Sequence, residues 1–253
     1  AYVSGKGDVL AITGTNGMTT TTALLGQIMK NYKDSVFVVG NIGNPYTSIV
    51  QDTRGDSVIV AEMSSFQLET VHTFRPKVSA ILNITPDHLN RHHTMEAYIE
   101  AKERIAENQM QGEVCVLNYE DEVLRKFEEK TSAEVLYFSS QRKLNQGVYL
   151  DGTTIVYDRG EKIPVCDVSA LQILGTHNYE NAMAAVAMAY AYGTPMDIVR
   201  KTLKEFTGVE HRIEFVAEKN GVAFYNDSKG TNPDAAIRGI RAMDRPTVLI
   251  GGG

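Results

Sequence analysis

The stretch VLAITGTNGMTT, residues 9–20, decides the fold of this chain. Residues 9–13 are apolar and rich in β-branched side chains, which predicts a buried parallel strand. Residues 19–29 predict the helix that follows, so Gly14 and Gly17 lie in the turn between the two elements. Such a turn lets successive backbone N–H groups converge on an anion, and the positive end of the helix dipole adds to their field. The stretch therefore predicts a phosphate-binding loop.

Position 18 departs from the phosphate-loop pattern G-x-x-x-x-G-K-[ST], in which a lysine precedes Ser or Thr. Here Met18 precedes Thr19, and Ile12 stands at the first glycine position. Thr19 is expected to place its hydroxyl on a Mg²⁺ ion bound to the same phosphates. A thioether lacks the charge with which a lysine offsets the β,γ-phosphate oxygens, and losing such a charge costs about a hundredfold in rate. We therefore expect Met18 to impair turnover more than nucleotide binding. Taken alone, the loop is also compatible with an ordinary glycine turn between a strand and a helix.

Composition indicates a globular protein without a basic or membrane-spanning face. The 253 residues are 43% hydrophobic, enough for a packed core in one large or two ordinary domains. The net charge of -6 argues against a nucleic-acid partner. No apolar run approaches the length of a membrane span and no signal pattern opens the chain, so we expect a cytoplasmic protein. Cys115 and Cys166 lie far apart and predict buried free thiols.

Alternating strands and helices predict an α/β fold. After the first strand, further strands are predicted at residues 36–39, 58–61, 78–84 and 114–117, with a helix at 95–108. This pattern is typical of a mostly parallel sheet in a P-loop-type ATPase domain. A D-G turn within residues 148–156 predicts a small antiparallel hairpin added to that sheet. An alanine-rich helix at 177–192 and a second helix opened by Pro195 and ending near 206–208 complete the domain.

A second unit is predicted to begin at about Val209. It has strands at 213–217 and 222–225, a helix capped by Asn232 with Pro233 in its first turn, and a strand at 247–250. About 45 residues with one helix cannot close a doubly wound domain. We therefore expect domains at 1–208 and 209–253, the second being the start of a truncated Rossmann-like domain, with truncation at the other end as well.

Polar residues follow the predicted strands. Glu62 ends one strand, where a Mg²⁺ ligand belongs, although a lone Glu is also often a cap or surface residue. His88 follows another strand and can bind a second divalent ion, whereas His92 and His93 are expected in solvent. By itself, Lys102 is expected to be an ordinary solvated lysine on its helix.

The second half of the chain adds amides and charges. Asn178 and Asn181 are three positions apart on one helix face, where they can read a base edge, or Asn178 can simply cap the helix. Arg212 stands at the predicted domain junction, where ligand sites are common. The polar loop at 225–232 supplies Asp227 and Lys229.

Together these segments, from about residue 8 to 253, resemble the Mur ligase superfamily of ATP-dependent amide ligases. The loop 13–17 and the run 227–229 are shared across the superfamily. Residues 41–43 (NIG), 64–69 (SSFQLE) and 87–89 (DHL) with Arg91 resemble the members that add D-glutamate. The resemblance implies the substrates UDP-MurNAc-L-alanine and D-glutamate in peptidoglycan precursor synthesis, and two Mg²⁺ ions. We also expect a monomer.

The resemblance also implies roles for individual positions. In that family the carboxylate of UDP-MurNAc-L-alanine attacks the γ-phosphate of ATP, and D-glutamate captures the acyl phosphate. The implied nucleotide-binding residues are Gly14, Thr15, Asn16, Gly17, Thr19 and Thr20 for the phosphates, with Asn178, Asn181, Arg212 and Asp227 for adenine and ribose. The implied metal ligands are Thr19 and Glu62 for one ion, and His88 and Lys102, as its carbamate, for the second.

Three further implied roles concern catalysis and substrate. Lys229 would face the transferred phosphoryl group, beside the catalytic positions Lys102 and His88. Asn41 and Ser65 would contact the muramyl substrate. Met18 stands at the family's lysine, Asn90 at a usual aspartate and Gly230 at a usual alanine.

The alternative hypothesis is a nucleotide-binding module without turnover, either a natural pseudo-enzyme or an engineered lysine-to-methionine knockout.

Overall fold

The computed structural model describes residues 1–252, apart from the side chain of Asp234, and Gly253 lies outside the described residues. Within that range the main sheet has nine strands, in chain order β1 (Asp8–Thr13), β2 (Val36–Gly40), β3 (Val58–Glu62), β4 (Val78–Ile81), β5 (Val114–Asn118), β6 (Glu134–Ser139), β7 (Gly147–Asp151), β8 (Thr154–Asp158) and β9 (Lys162–Asp167). A separate two-stranded sheet is formed by β10 (Glu214–Lys219) and β11 (Val222–Asn226).

The α-helices of the described range are α1 (Met18–Tyr32), α2 (Tyr46–Ile49), α3 (Ser65–Leu68), α4 (Leu89–His92), α5 (Met95–Glu103), α6 (Glu122–Phe127), α7 (Thr176–Ala191), α8 (Met196–Glu205) and α9 (Pro233–Arg241). Polar caps start several of them. The Thr94 hydroxyl accepts the Ala97 N–H at 3.2 Å at the start of α5, and the Asp121 carboxylate caps α6 at 2.9 Å. These contacts satisfy N–H groups that have no partner inside a helix.

The predicted α/β fold is confirmed. The strand order is β2-β3-β1-β4-β5-β6-β7-β8-β9, with parallel pairing from β2 through β7. The predicted hairpin is β7 and β8, and the antiparallel β9 extends it at the sheet edge. Because β1 lies between β3 and β4, the loops that follow these three strands meet at one edge of the sheet, where ligands bind in open α/β sheets.

Successive side chains of β1 point to opposite faces of the sheet, and the core accordingly has two layers. Leu10 and Ile12 are fully buried on the face covered by α1, α7 and α8. Val9 and Ala11 point to the other face, against side chains of α3, α5 and α6. Both faces of the parallel strands are therefore buried, which explains why β1 is apolar without interruption.

Several predicted bounds needed correction. Strand β4 ends at Ile81 rather than at residue 84, because Asn83 bonds to the loop after β1 and the Ile84 N–H donates to Asp121 instead of continuing the ladder. The helix predicted at 95–108 ends at Glu103 and continues only as one 3-10 turn, Arg104–Ala106. Strands β6 and β9 were not predicted at all.

The segment after residue 208 agrees with prediction only in part. The β10–β11 hairpin and α9 form as expected, and Asn232 caps α9 through the Ala235 N–H at 2.8 Å. The strand predicted at 247–250 is wrong, because this stretch pairs with neither β10 nor β11. Val248 is 89% exposed there. A strand needs a neighbour for its backbone groups, and apolar β-branched composition alone does not supply one.

Candidate nucleotide-binding site

The glycine loop after β1 is held in place by Asn83. The backbone N–H of Thr15 donates to the Asn83 carbonyl at 2.9 Å, and the N–H of Asn16 donates to the Asn83 side-chain oxygen at 2.9 Å. The expectation that these loop N–H groups point at phosphates is therefore wrong for two of them, which Asn83 already engages. Donors for an anion remain at Met18 and Thr19, in the first turn of α1, where N–H groups have no partner inside the helix.

Helix α1 starts from a glycine in the left-handed conformation. Gly17 precedes α1 with φ of 87°, a region that side-chain-bearing residues rarely adopt. A Cβ atom on Gly17 would overlap the side-chain oxygen of Asn181. The loop therefore approaches α7 as closely as it does only because residue 17 has no side chain.

The two predicted asparagines form one buried pair on α7. The Asn181 amide donates to the Asn178 side-chain oxygen at 3.0 Å, and the Asn178 amide donates to the Leu174 carbonyl at 2.7 Å. Both residues are under 8% exposed. Asn178 lies inside α7, which begins after Gly175, so the alternative that Asn178 merely caps the helix is excluded.

Residues from four distant parts of the chain line one cleft beside α1. The lining residues are Asn16, Gly17, Thr20, His177, Asn178, Asn181, Arg212, Ile213, Asp227, Ala235 and Arg238. Seven predicted nucleotide-binding residues are among them. The cleft brings the loop of β1, the start of α7 and the segment after residue 208 into contact.

Asp227 enters the cleft from the end of β11. Its carboxylate accepts the Ile213 N–H at 3.2 Å. Partial burial raises the pKa of Asp227, while this hydrogen bond and the nearby Arg212 act in the opposite direction. Asp227 therefore offers a desolvated acceptor to a ligand hydroxyl.

Asn232 makes a contact that the sequence did not reveal. Besides capping α9, its amide lies 3.3 Å from the Asn16 side-chain oxygen and 3.5 Å from an Asp87 oxygen. The sequence predicted only the capping role. This amide links α9 to the glycine loop and to the loop that follows β4.

Met18 and Lys229 lie in unlike surroundings. The half-buried Met18 side chain packs against the apolar layer that includes α1, α7 and α8. It brings neither a charge nor a strong donor to the loop. Lys229 is exposed, and its backbone N–H donates to the His211 carbonyl at 3.1 Å. Lys229 is not among the residues that line the cleft.

Glu62 offers an oxygen to a cation at the end of β3. It is 1% exposed, and its Oε1 atom accepts the Asn41 amide at 2.9 Å. Its Oε2 atom is buried without a hydrogen-bond partner among the described residues. An orphaned carboxylate oxygen is costly unless something binds it, so Glu62 fits a divalent cation. Thr19, the other predicted ligand of that ion, is half-buried.

The described residues contain no group of three or more His, Cys, Asp or Glu side chains arranged to hold a metal. A cation beside Glu62 must therefore complete its coordination with oxygens from hydroxyl groups, water or a bound phosphate. Mg²⁺ suits such a site, because it keeps several waters and binds through one or two carboxylates plus substrate phosphates.

Lys102 is buried, so the expectation of an ordinary solvated lysine is wrong. It is 2% exposed, and its Nζ atom donates to the Gly14 carbonyl at 2.6 Å. The Tyr98 ring lies 4.9 Å from Nζ. Burial lowers the pKa of Lys102 to about 7, although the carboxylates of Asp87 and Glu62 favour the charged form. A neutral amine is the form that reacts with carbon dioxide.

The three histidines after β4 differ from each other. His88 has a left-handed backbone with φ of 53° and a half-exposed imidazole 3.8 Å from Asp87. His93 is exposed, as expected. The expectation that His92 is solvated is wrong, because its ring is buried and bonds to Ser65 at 2.9 Å. Ser65, the predicted substrate contact, is itself 2% exposed.

Fold and site together define a P-loop-type α/β domain with a glycine loop and a polar cleft beside its first helix. The family model for the Mur ligase middle domain matches residues 12–189. The chain belongs to this family.

The chain is also similar to individual ligases over its whole length. The UDP-N-acetylmuramoylalanine–D-glutamate ligases of Lachnoclostridium phytofermentans and Lachnospira eligens are 62% and 59% identical over 254 residues. Each alignment covers 100% of this chain and 56% of the relative, so the chain spans about half the length of these relatives.

A solved structure shares the fold at lower identity. MurF ligase from Thermotoga maritima, in complex with ADP, superposes with a TM-score of 0.72 at 24% identity. The match covers 95% of this chain and 57% of that one.

Throughout the part of the chain that the structure describes, helices are too short or too polar to cross a membrane.

Proposed function

We propose that this chain is the nucleotide-binding core of an ATP-dependent ligase that joins D-glutamate to UDP-MurNAc-L-alanine. The identities of 62% and 59% to two ligases with this activity support the proposal. The chain spans only 56% of those relatives, so the complete activity, including both substrates, belongs to the proposal.

The observation that carries the proposal is the convergence on one cleft. Gly17, Asn181, Arg212 and Asp227 are far apart in the chain, and all of them line it. Phosphates would bind at the start of α1, where the helix dipole and free N–H groups favour an anion. Buried amides of α7 would then face the base, and Asp227 would accept a ribose hydroxyl.

Two cation sites form part of the proposal. Thr19 and Glu62 would hold one Mg²⁺ ion, and His88 with carbamylated Lys102 would hold a second. When bound, these ions would offset the charge of the transferred phosphoryl group. Carbamylation joins the neutral Lys102 amine to carbon dioxide and releases one proton, which converts a donor into an anionic oxygen ligand.

The chain's own residues would prepare the phosphoryl transfer. Asn83 and Gly17 fix the loop, Asn41 orients the Glu62 carboxylate, and burial keeps much of Lys102 neutral near pH 7. The muramyl carboxylate would attack the γ-phosphate of ATP, and the amine of D-glutamate would then displace phosphate from the acyl phosphate. We further propose that residues 1–208 and 209–253 belong to separate domains.

One observation favours a second candidate, a nucleotide-binding module without turnover. The Met18 side chain packs on the apolar core and gives no charge to the phosphates. Binding depends on backbone donors and the cleft, whereas turnover depends on charge that stabilises the transition state. The two candidates therefore share a ligand and differ in rate.

Calorimetric titration of the chain with ATP and Mg²⁺ tests the proposal. We expect saturable binding that weakens at least tenfold in Asp227→Ala, and that stays unchanged in Asp56→Ala, whose side chain is exposed and outside the cleft. With UDP-MurNAc-L-alanine and D-glutamate added, we expect no product from this chain alone. Binding that is absent, or indifferent to Asp227→Ala, would overturn the nucleotide site. Product at the rate of a full-length ligase would overturn the second candidate.

A further inference from the structure

A buried imidazole joins the two short helices that follow β3 and β4. The Nε2 atom of His92, the last residue of α4, lies 2.9 Å from the Ser65 hydroxyl, and its Nδ1 atom lies 3.2 Å from a Glu69 carboxylate oxygen. Ser65 is the first residue of α3, and Glu69 follows its last residue. One side chain therefore bonds to both ends of α3.

Two polar contacts orient the ring: a hydrogen bond with Ser65 and a close approach to the Glu69 carboxylate. A carboxylate only accepts, so Nδ1 carries the proton that faces Glu69. Burial lowers the pKa of His92, against the attraction of Glu69. In the tautomer with its single proton on Nδ1, Nε2 accepts a hydrogen bond from the Ser65 hydroxyl. Each ring nitrogen has a single partner of the matching type, so a flipped ring would lose both contacts.

Aromatic neighbours hold the same ring from two sides. Phe66 stacks on His92 at 5.4 Å with an interplanar angle of 5°, and Phe66 also lies 5.1 Å from the His88 ring. Tyr98 lies 5.2 Å from His92, and its hydroxyl is 3.1 Å from the Thr15 hydroxyl in the glycine loop. His92 thus connects α3, α4, α5 and the loop after β1.

The two connected helices α3 and α4 follow closely after two of the proposed cation ligands. Glu62 ends β3, three positions before Ser65, and His88 immediately precedes α4. We propose that His92 is a positioning residue that fixes α3 on α4 and thereby holds Glu62 and His88 in one arrangement for divalent cations. This inference rests on the proposed function, because those two side chains are cation ligands only there. Groups hydrogen-bonded directly to metal ligands affect metal affinity by about 10- to 100-fold, and His92, which acts through α3 and Phe66, is expected to act at the lower end of that range.

The test measures Mn²⁺ binding by electron paramagnetic resonance, with a non-hydrolysable ATP analogue present. His92→Phe keeps the stacked ring and removes the Ser65 hydrogen bond and the Glu69 contact, and we expect it to weaken Mn²⁺ binding about tenfold. His92→Gln restores one polar contact and is expected to recover part of that loss. His72→Phe, at an exposed histidine outside this cluster, is the matched control and should leave the affinity unchanged.

Two comparisons separate the possible failures. If His92→Phe and His92→Gln lower the melting temperature yet keep the wild-type Mn²⁺ affinity, His92 is only structural and the inference is overturned. Glu62→Gln checks the assumption beneath it. Weaker Mn²⁺ binding in Glu62→Gln with no change in either His92 variant leaves the proposed function standing and removes the inference. Unchanged binding in Glu62→Gln instead removes the cation site itself.

Discussion

Gly17 and Asn181 lie so close together that a Cβ atom at position 17 would overlap the Asn181 side-chain oxygen. The contact joins the start of α1 to the buried amide pair of α7. It also brings the proposed phosphate and base positions into one cleft. The missing side chain at residue 17 therefore serves both the backbone turn and the packing of the two helices.

Gly17→Ala is expected to reduce both stability and nucleotide affinity. The left-handed backbone at φ of 87° alone costs about 1 kcal/mol for alanine, and the overlap with Asn181 adds to it. Gly193→Ala is the matched control, because Gly193 has φ of 94° and open space around its Cβ position. Urea unfolding should show a larger loss for Gly17→Ala than for Gly193→Ala, and the two glycine variants should lose equal stability when each is made in an Asn181→Ala background. Equal losses of the two glycine variants in the wild-type background would remove the close contact from the account.

Met18→Lys is expected to raise ATP turnover and leave ATP affinity nearly unchanged. The new ammonium would stabilise charge that develops on the transferred phosphoryl group, an effect of about a hundredfold or more. Met110→Lys adds the same charge at an exposed methionine far along the chain and serves as the control. Phosphate release and calorimetric affinity, measured in a full-length protein, give the comparison. If neither quantity changes, position 18 does not face the phosphates.

Because Lys102 is buried, we expect the unfolding free energy of the protein to rise with pH. Burial lowers its folded-state pKa to about 7, against the ordinary value of 10.5 for the unfolded chain. Between these values the unfolded chain binds more protons, so the unfolding free energy increases with pH by up to about 1.4 kcal/mol per unit. Below pH 7 the full cost of burying the charge is present.

Lys102→Met provides the comparison for this effect, because it keeps the length of the side chain without a titrating group. Urea unfolding from pH 7 to 9.5 in buffers free of carbon dioxide should show the wild-type curve rising relative to the variant. Parallel curves would mean that the Lys102 amine is charged and hydrated in the folded protein.

Sequence analysis correctly predicted the elements whose formation depends on residues close together in the chain. Residues 9–13 and Gly17 predicted the central strand and the start of the first helix, and Pro233 after Asn232 predicted α9. Local pattern failed where distant partners decide the outcome. Residues 247–250 look like a strand but have no partner strand, while the partly exposed β6 forms because β5 and β7 flank it.

The same distinction applies to the site. The family resemblance implied seven of the cleft residues, yet the close approach of Gly17 to Asn181 depends on packing between α1 and α7, which are over 140 positions apart in the chain. Burial of Lys102 and His92 likewise follows from how α4 and α5 pack beneath the loops. A solvated and a buried lysine or histidine cannot be distinguished from the local sequence, because their burial depends on residues from other segments of the chain.

The most direct test of the nucleotide cleft is a crystal structure of the chain with Mg²⁺ and a non-hydrolysable ATP analogue. We expect the phosphates to lie at the start of α1, the base to lie beside Asn178 and Asn181, and a ribose hydroxyl to bond to Asp227. An analogue bound elsewhere on the protein, with this cleft unchanged, would contradict this expectation.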